Sequence, residues 1–201
     1  MTDLAANLLG ITTVPLYETL GATMMQLILE QTQMSTIFGS DKCLMHIISL
    51  AAQQDSIANT QGQRPGELRY LENLVVFGIP SLALVEVCKQ YGIMLWEYGA
   101  LIEEEVKSQG DSFEIIDHSQ TRRNDIFTIS YTSGTENNPK GVMLSNENFI
   151  SAIANILKVA GDFPFRQDDV YISYLPLAHV FDRLGVYGVM SIGAQVGFFG
   201  G

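Results

Sequence analysis

An α/β fold, with mostly parallel sheets and flanking helices, is what this 201-residue chain predicts. Short β-branched apolar runs alternate with longer stretches whose apolar residues recur at helical spacing, and Gly, Pro or polar residues punctuate the changes. Alternation of that kind favours right-handed βαβ crossovers and parallel pairing. A hydrophobic content of 47% is enough to fill one ordinary domain, or one and a half small ones.

In chain order, Thr2 to Leu9 reads as a helix that Gly10 ends, and Ile11 to Leu16 as a β-branched run fit for a buried strand. Gly21 to Gln31 resumes helical spacing through Met24, Met25, Leu27, Ile28 and Leu29. Ser35 to Phe38 predicts a short strand, and Asp41 to Gln53 a helix with an acid at its start. The aperiodic polar residues 54–69 predict a surface loop. Next come a strand at Asn73 to Phe77, a helix at Ser81 to Gln90 with Ser81 as N-cap, a strand at Ile93 to Trp96 and a helix at Tyr98 to Ser108. Residues 110–123 predict a second surface loop. Strands follow at Asp125 to Tyr131 and Gly141 to Leu144, then a helix at Ser145 to Val159. A strand at Val170 to Tyr174, a helix at Leu177 to Ile192 and a strand at Gln195 to Phe199 complete the alternation.

Charge and composition narrow the function classes. A net charge of −11, with no Lys/Arg run longer than Arg122-Arg123, argues against nucleic acid or an anionic membrane surface as the main partner. Cys43 and Cys88 lie far apart and show no zinc spacing, so reduced thiols are expected. The opening MTDLAANLL lacks the basic start of a secretory signal. The uncharged run Leu184 to Gly201 reaches membrane-helix length, but its glycines predict a buried helix followed by a buried strand.

The stretch Tyr131 to Leu144, YTSGTENNPKGVML, carries the densest chemistry. Thr132, Ser133 and Thr135 offer hydroxyl donors, Gly134 lets the backbone turn without a Cβ clash, and Lys140 brings a compact positive charge. Successive backbone N–H groups in such a loop can form an anion-binding nest. The loop is expected to join two strands. It is not a Walker A loop, because Lys140 precedes its glycine and Pro139 forbids a helical continuation. An ordinary turn rich in Gly, Ser, Thr and Asn is the alternative on local chemistry alone.

This loop resembles the TSGTTGxPKG signature of adenylate-forming enzymes, the superfamily of acyl-CoA synthetases, luciferases and peptide-synthetase adenylation domains. Two further stretches, VPLYETLG at Val14 to Gly21 and YLPLAHVFDR at Tyr174 to Arg183, resemble the long-chain fatty acid-CoA ligases within it. The resemblance implies that residues 1–201 form a partial AMP-binding domain, an incomplete N-terminal domain without the C-terminal lid. The family's YGxTE motif, ribose-binding aspartate, hinge and C-terminal lysine have no match here.

What the resemblance implies is a reaction in two stages. A fatty acid carboxylate attacks the α-phosphorus of ATP, giving acyl-adenylate and pyrophosphate, and the CoA thiol then displaces AMP. Thr132, Ser133, Gly134, Thr135 and Lys140 would hold the β- and γ-phosphates, Glu136 would lie in the same nucleotide-binding loop, and Thr135 would also ligate Mg²⁺. His179 would lie beside the acyl carboxylate and the nucleotide, as the catalytic residue. The expected partners are a long-chain fatty acid, ATP and CoA, with no nucleic acid and no transmembrane segment. The expected location is cytoplasmic, with peripheral attachment to the endoplasmic reticulum or other intracellular membranes. Three positions depart from the pattern: Glu136 stands in place of threonine, Asn137 of glycine and Asn146 of histidine. A carboxylate facing a triphosphate adds repulsion of about 1 kcal/mol at contact distance. The isolated chain is therefore expected to be inactive. Two other readings are a noncatalytic chain that binds a nucleotide weakly or only proteins, and a relative that activates aromatic or amino acids.

Other candidates read as structural. Asp182 and Arg183, at i+3 and i+4 from His179, are expected to share its helix face as a salt-bridged surface. A triad of Ser173, His179 and Asp182 is disfavoured, because no GxSxG elbow surrounds any serine. His46 is expected to be buried or half-buried, His118 lies in a polar loop, Glu103 to Glu105 form a solvated cluster, and the methionines suit core filling.

Overall fold

The computed structural model describes residues 2–17, 20–52, 66–109, 121–132, 139–159 and 164–198. The chain divides into two compact units, one formed by Glu18–Ile115 and the other by Met1–Tyr17 together with Ile116–Gly201. The first is therefore inserted in the sequence of the second.

In the inserted unit, helices α2 (Ala22–Thr32), α3 (Asp41–Ala52), α4 (Leu82–Tyr91) and α5 (Tyr98–Gln109) accompany strands β1 (Thr36–Ser40), β2 (Asn73–Phe77) and β3 (Met94–Glu97). The strands form one parallel sheet in the order β1-β2-β3. Strand β2 is central, and its Leu74, Val75 and Val76 are buried, as expected where helices cover a parallel sheet. Met25, Ile28 and Leu29 of α2, Leu44, Ile47 and Ile48 of α3, and Leu84 and Cys88 of α4 add to the core. Burial raises the Cys88 thiol pKa, and neither Cys43 nor Cys88 forms a disulfide among the described residues.

Local signals set the ends of these elements. The Ser81 hydroxyl accepts from the Leu84 N–H at 3.2 Å and caps α4, whose other end is closed by Gly92 at φ 62°. Asp41 at the start of α3 accepts from the Ser81 N–H at 2.7 Å, tying the two helix starts together. Residues 54–65 lie outside the described residues, whereas Gly66–Leu68 form a 3₁₀ turn that buries Leu68. His46 is exposed on α3, a correction to the buried position expected for it: the helix turns Leu44, Ile47 and Ile48 inward and His46 away.

The second unit contains helices α1 (Thr2–Leu8), α6 (Asn146–Val159) and α7 (Val180–Ser191), with strands β4 (Ile126–Thr132), β5 (Lys140–Ser145), β6 (Val170–Ser173) and β7 (Gln195–Phe198). Strands β4 and β5 pair antiparallel, and β6 and β7 pair parallel. The strand expected over Ile11 to Leu16 contracts to a single parallel bridge between Thr13 and Thr128. Thr13 donates to the Phe127 carbonyl and accepts from the Ile129 N–H at 2.9 Å. The next residue able to bond in that direction is Pro15, which has no N–H to donate.

Helix α6 starts with a reciprocal cap. The Ser145 hydroxyl accepts from the Asn148 N–H at 3.2 Å, and the Asn148 side chain accepts from the Ser145 N–H at 3.1 Å. Phe127 of β4 stacks on Phe149 of α6 at 4.2 Å, and Tyr187 of α7 meets both rings edge-on. The apolar run from Leu184 becomes helix α7 and strand β7, but β7 is not the buried strand expected: Phe198 is exposed. Among the described residues, no helix is long and apolar enough to cross a membrane.

Candidate functional site

The antiparallel register of β4 and β5 places Thr132 opposite Lys140 and Tyr131 opposite Gly141. The two described ends of the candidate phosphate loop are thus held across a ladder, and both Thr132 and Lys140 are exposed. Ser133, Gly134, Thr135 and Glu136 lie outside the described residues. Gly141 is required where it stands, because an added Cβ would come within 2.9 Å of Ile129 Cγ2 and 3.1 Å of Tyr131 Cζ. Burial under this crossing also raises the Tyr131 phenol pKa.

An apolar cavity of about 240 Å³ lies between the hairpin and the two helices. Thr132 and Val142 line it from the hairpin, Phe149 and Ala152 from α6, and Val180 and Leu184 from α7. The Ser130 hydroxyl, which also lines it, is buried and has no hydrogen-bond partner among the described residues.

His179 immediately precedes Val180 and is the N-cap of α7. It is exposed, and its N–H donates to the Pro176 carbonyl at 2.7 Å, so the Leu-Pro-Leu-Ala segment ends in a tight turn. Its Nδ1 accepts from the Phe181 N–H at 3.2 Å. With Nδ1 used as an acceptor, the neutral ring carries its proton on Nε2.

Asp182 and Arg183 correct the expectation of a solvated pair sharing the histidine's face. Their exposures are 0% and 2%, and they point to different partners. Asp182 accepts from the Tyr171 hydroxyl at 2.9 Å and from the Ser173 hydroxyl at 2.5 Å. Arg183 Nη1 donates to Thr128 Oγ1 at 2.9 Å, while Nη2 reaches both Asp3 oxygens and Thr13 Oγ1. The Tyr187 hydroxyl also donates to Asp3. The Arg183 guanidinium lies 5.1 Å from the Phe127 ring centre and 5.8 Å from that of Phe149.

Ser173, His179 and Asp182 do not form a catalytic triad: Ser173 donates directly to Asp182, while His179 caps the helix. Burial, and then the hydrogen bond and charge of Asp182, push the Tyr171 phenol pKa up to about 12. Burial and Asp3 raise that of Tyr187 as well. This buried network was missed in the sequence, although a charge pair inside the otherwise uncharged helix Val180–Ser191 was a visible signal.

Among the described residues, no group of three or more His, Cys, Asp or Glu could hold a metal ion. A Mg²⁺ bound mainly through nucleotide phosphates and water needs no such cage, so the exposed Thr132 and Lys140 are compatible with it.

Solved structures with the same fold come from adenylate-forming enzymes. The A domain of carboxylic acid reductase from Segniliparus rugosus, in complex with AMP and a co-purified carboxylic acid, superposes with a TM-score of 0.74 at 20% identity. That match covers 98% of this chain and 30% of the other. The adenylation domain of the carboxylate reductase from Mycobacterium chelonae gives a TM-score of 0.72 at 19% identity, covering 99% and 29%. The architecture is therefore that of an adenylation domain. The chain belongs to the AMP-binding enzyme family, which it matches over residues 1–201. It is 31% identical over 199 residues to long chain acyl-CoA synthetase 4 of Arabidopsis thaliana, covering 98% of this chain and 27% of that protein. Long chain acyl-CoA synthetase 7, peroxisomal, of the same plant is 34% identical over 203 residues, covering 99% and 25%. Fatty acyl-CoA synthetase A of Dictyostelium discoideum is 30% identical over 203 residues, covering 100% and 27%. The chain thus spans about a quarter of the length of the curated relatives it matches.

Proposed function

We propose that residues 1–201 supply the phosphate loop and an acyl-facing histidine to an enzyme that joins a long-chain fatty acid to CoA at the expense of ATP. The observation that carries this reading is the pairing of Thr132 with Lys140 across the hairpin, with His179 next to a residue of the same apolar cavity. Similarity to long-chain acyl-CoA synthetases supports the choice of acid.

In the first stage a carboxylate oxygen bonds to the α-phosphorus of ATP and the bond to pyrophosphate breaks. Negative charge develops on phosphate oxygens, and preplaced donors stabilise it without having to reorganise. Thr132 and Lys140 hold the tail from the two strand ends, with Ser133, Gly134 and Thr135 between them and Glu136 in the same loop. Thr135 is the residue we assign to Mg²⁺, which when bound neutralises phosphate charge. The Nε2–H of His179 donates to the carboxylate or to a nucleotide oxygen beside it. In the second stage the CoA sulfur bonds to the acyl carbon and AMP leaves with the electron pair. This chemistry is assigned to the cytoplasm, with the enzyme peripheral to an intracellular membrane.

The test is acid-dependent exchange of pyrophosphate into ATP by the polypeptide that carries these residues, with palmitate, octanoate, benzoate and phenylalanine offered in parallel. Exchange driven best by palmitate, followed by thioester formation with CoA, is expected. Preference for an aromatic or amino acid would overturn the choice of substrate, and no exchange with any acid would overturn the activation reading.

A further inference from the structure

We propose that Asp182 is a positioning residue that locks the first turn of α7, so that His179 presents a fixed Nε2–H donor beside the cavity lined by Thr132 and Val180. This rests on the role given to His179 above. Asp182 is wholly buried, and no salt-bridge partner faces it among the described residues. A carboxylate taken out of water without a cation is costly, and hydroxyl hydrogen bonds recover only part of that cost. An apolar residue could fill the same space more cheaply, so the acid must contribute something that packing alone does not.

What it contributes is direction. Both of its hydrogen bonds come from β6, one from Tyr171 and one from Ser173. Its own N–H donates to the His179 carbonyl at 3.1 Å, so one residue ties the histidine's backbone to that strand. The next residue, Arg183, donates its N–H to the same carbonyl at 3.2 Å and carries its side chain to Thr128 of β4. Consecutive residues therefore hold one helical turn from two strands, and β4 is the strand that ends at Thr132.

Gly185 shows that this contact is built in. A Cβ there would lie 2.5 Å from the Tyr171 hydroxyl oxygen, so only glycine lets the phenol lie along the helix and reach Asp182. With the turn fixed, the Phe181 N–H stays aimed at His179 Nδ1 and the tautomer is set. A loosened turn would release that bond and let the proton sit on either ring nitrogen.

The experiment combines ring-nitrogen NMR of histidine-labelled protein, assigned with His179→Gln, with pyrophosphate-exchange kinetics. Asp182→Asn turns one acceptor oxygen into a donor, so one of the two hydroxyl bonds must be broken or reversed. The expected result is a mixed tautomer at His179 and a fall of about tenfold or more in kcat, with KM for ATP changed by less than about twofold. Tyr171→Phe removes one bond, keeps the acid and should move both readouts the same way; it carries the test if Asp182→Asn does not fold. A variant that melts earlier yet keeps the Nε2–H tautomer and the parent kcat would make Asp182 merely structural and overturn the proposal. If the parent protein shows no exchange with any acid, the activation reading fails, and the tautomer alone then decides the positioning role.

Discussion

Arg183 and Asp3 lie 180 positions apart in the chain, and one guanidinium nitrogen touches both carboxylate oxygens at 2.9 and 2.8 Å. The arginine side chain is almost fully buried and the acid about two-thirds buried, its side chain being 33% exposed. Removing one member of such a pair is far worse than removing both, because the survivor stays buried without its counter-charge. Asp3→Ala is therefore expected to cost about 3 kcal/mol, the low end for a buried pair because Asp3 is partly solvated. Urea denaturation would check this; a loss below about 1 kcal/mol would mean that the contact behaves as a surface pair.

At the hairpin, Gly141→Ala drives a methyl group against Ile129 and Tyr131. An overpacking cost of about 1–3 kcal/mol is expected, along with weaker ATP binding because Thr132 and Lys140 lose their alignment. Lys140→Ala should weaken ATP binding without the stability loss, since that side chain is exposed. Calorimetric titration with ATP and thermal denaturation of the two variants separate the effects.

Glu136→Thr restores the residue of the family signature and removes a negative charge from the loop proposed to hold the triphosphate. ATP should bind about fivefold tighter, the equivalent of about 1 kcal/mol. Unchanged affinity would show that the Glu136 carboxylate does not face the phosphates.

The two half-buried phenols, Tyr171 and Tyr187, make stability fall in alkali. Tyr171 has its pKa raised from 10.0 to about 12, first by burial and then by the hydrogen bond and charge of Asp182. Tyr187 is raised by burial, then by its hydrogen bond to Asp3 and that acid's charge, with Arg183 acting against the shift. Between pH 10 and 12 the folded chain holds protons that the unfolded chain has released, so this stability is complete below pH 10 and lost as pH rises. The urea midpoint at about pH 11 should lie below that at about pH 9, and Tyr171→Phe should reduce the difference, leaving the part due to Tyr187. A flat midpoint in the parent protein would contradict the burial and hydrogen bonding assigned to these phenols.

How much of this was legible in the sequence depends on how local each signal is. The strand Asn73–Phe77 and the cap at Ser81 could be read directly, because a β-branched run and a hydroxyl before a helix act over a few residues. Pro15 was equally visible, yet the run around it was expected to be a strand, since its partner on β4 could not be known. Asp182 and Arg183 were misplaced for the same reason: two adjacent charges read as solvated until Asp3, Thr13 and Tyr171 arrive from elsewhere in the chain. At the site, the signature around Lys140 and the turn before His179 were legible as motifs. The tautomer of His179 depends on the Phe181 N–H, whose direction is fixed by where α7 begins and not by residue type.

The insertion of Glu18–Ile115 between the two parts of the other unit has a consequence for biosynthesis. A chain emerging from the ribosome displays Asp3 and Thr13 long before Thr128 and Arg183 exist, whereas the strands β1, β2 and β3 are all present once residue 97 is out. The residues translated last thus close the first ones into place, and the middle of the polypeptide should acquire protease resistance first. Stalled nascent chains ending near residue 150 should already protect residues 20–52 and 66–109, while residues 2–17 stay cleavable until the arginine has cleared the exit tunnel.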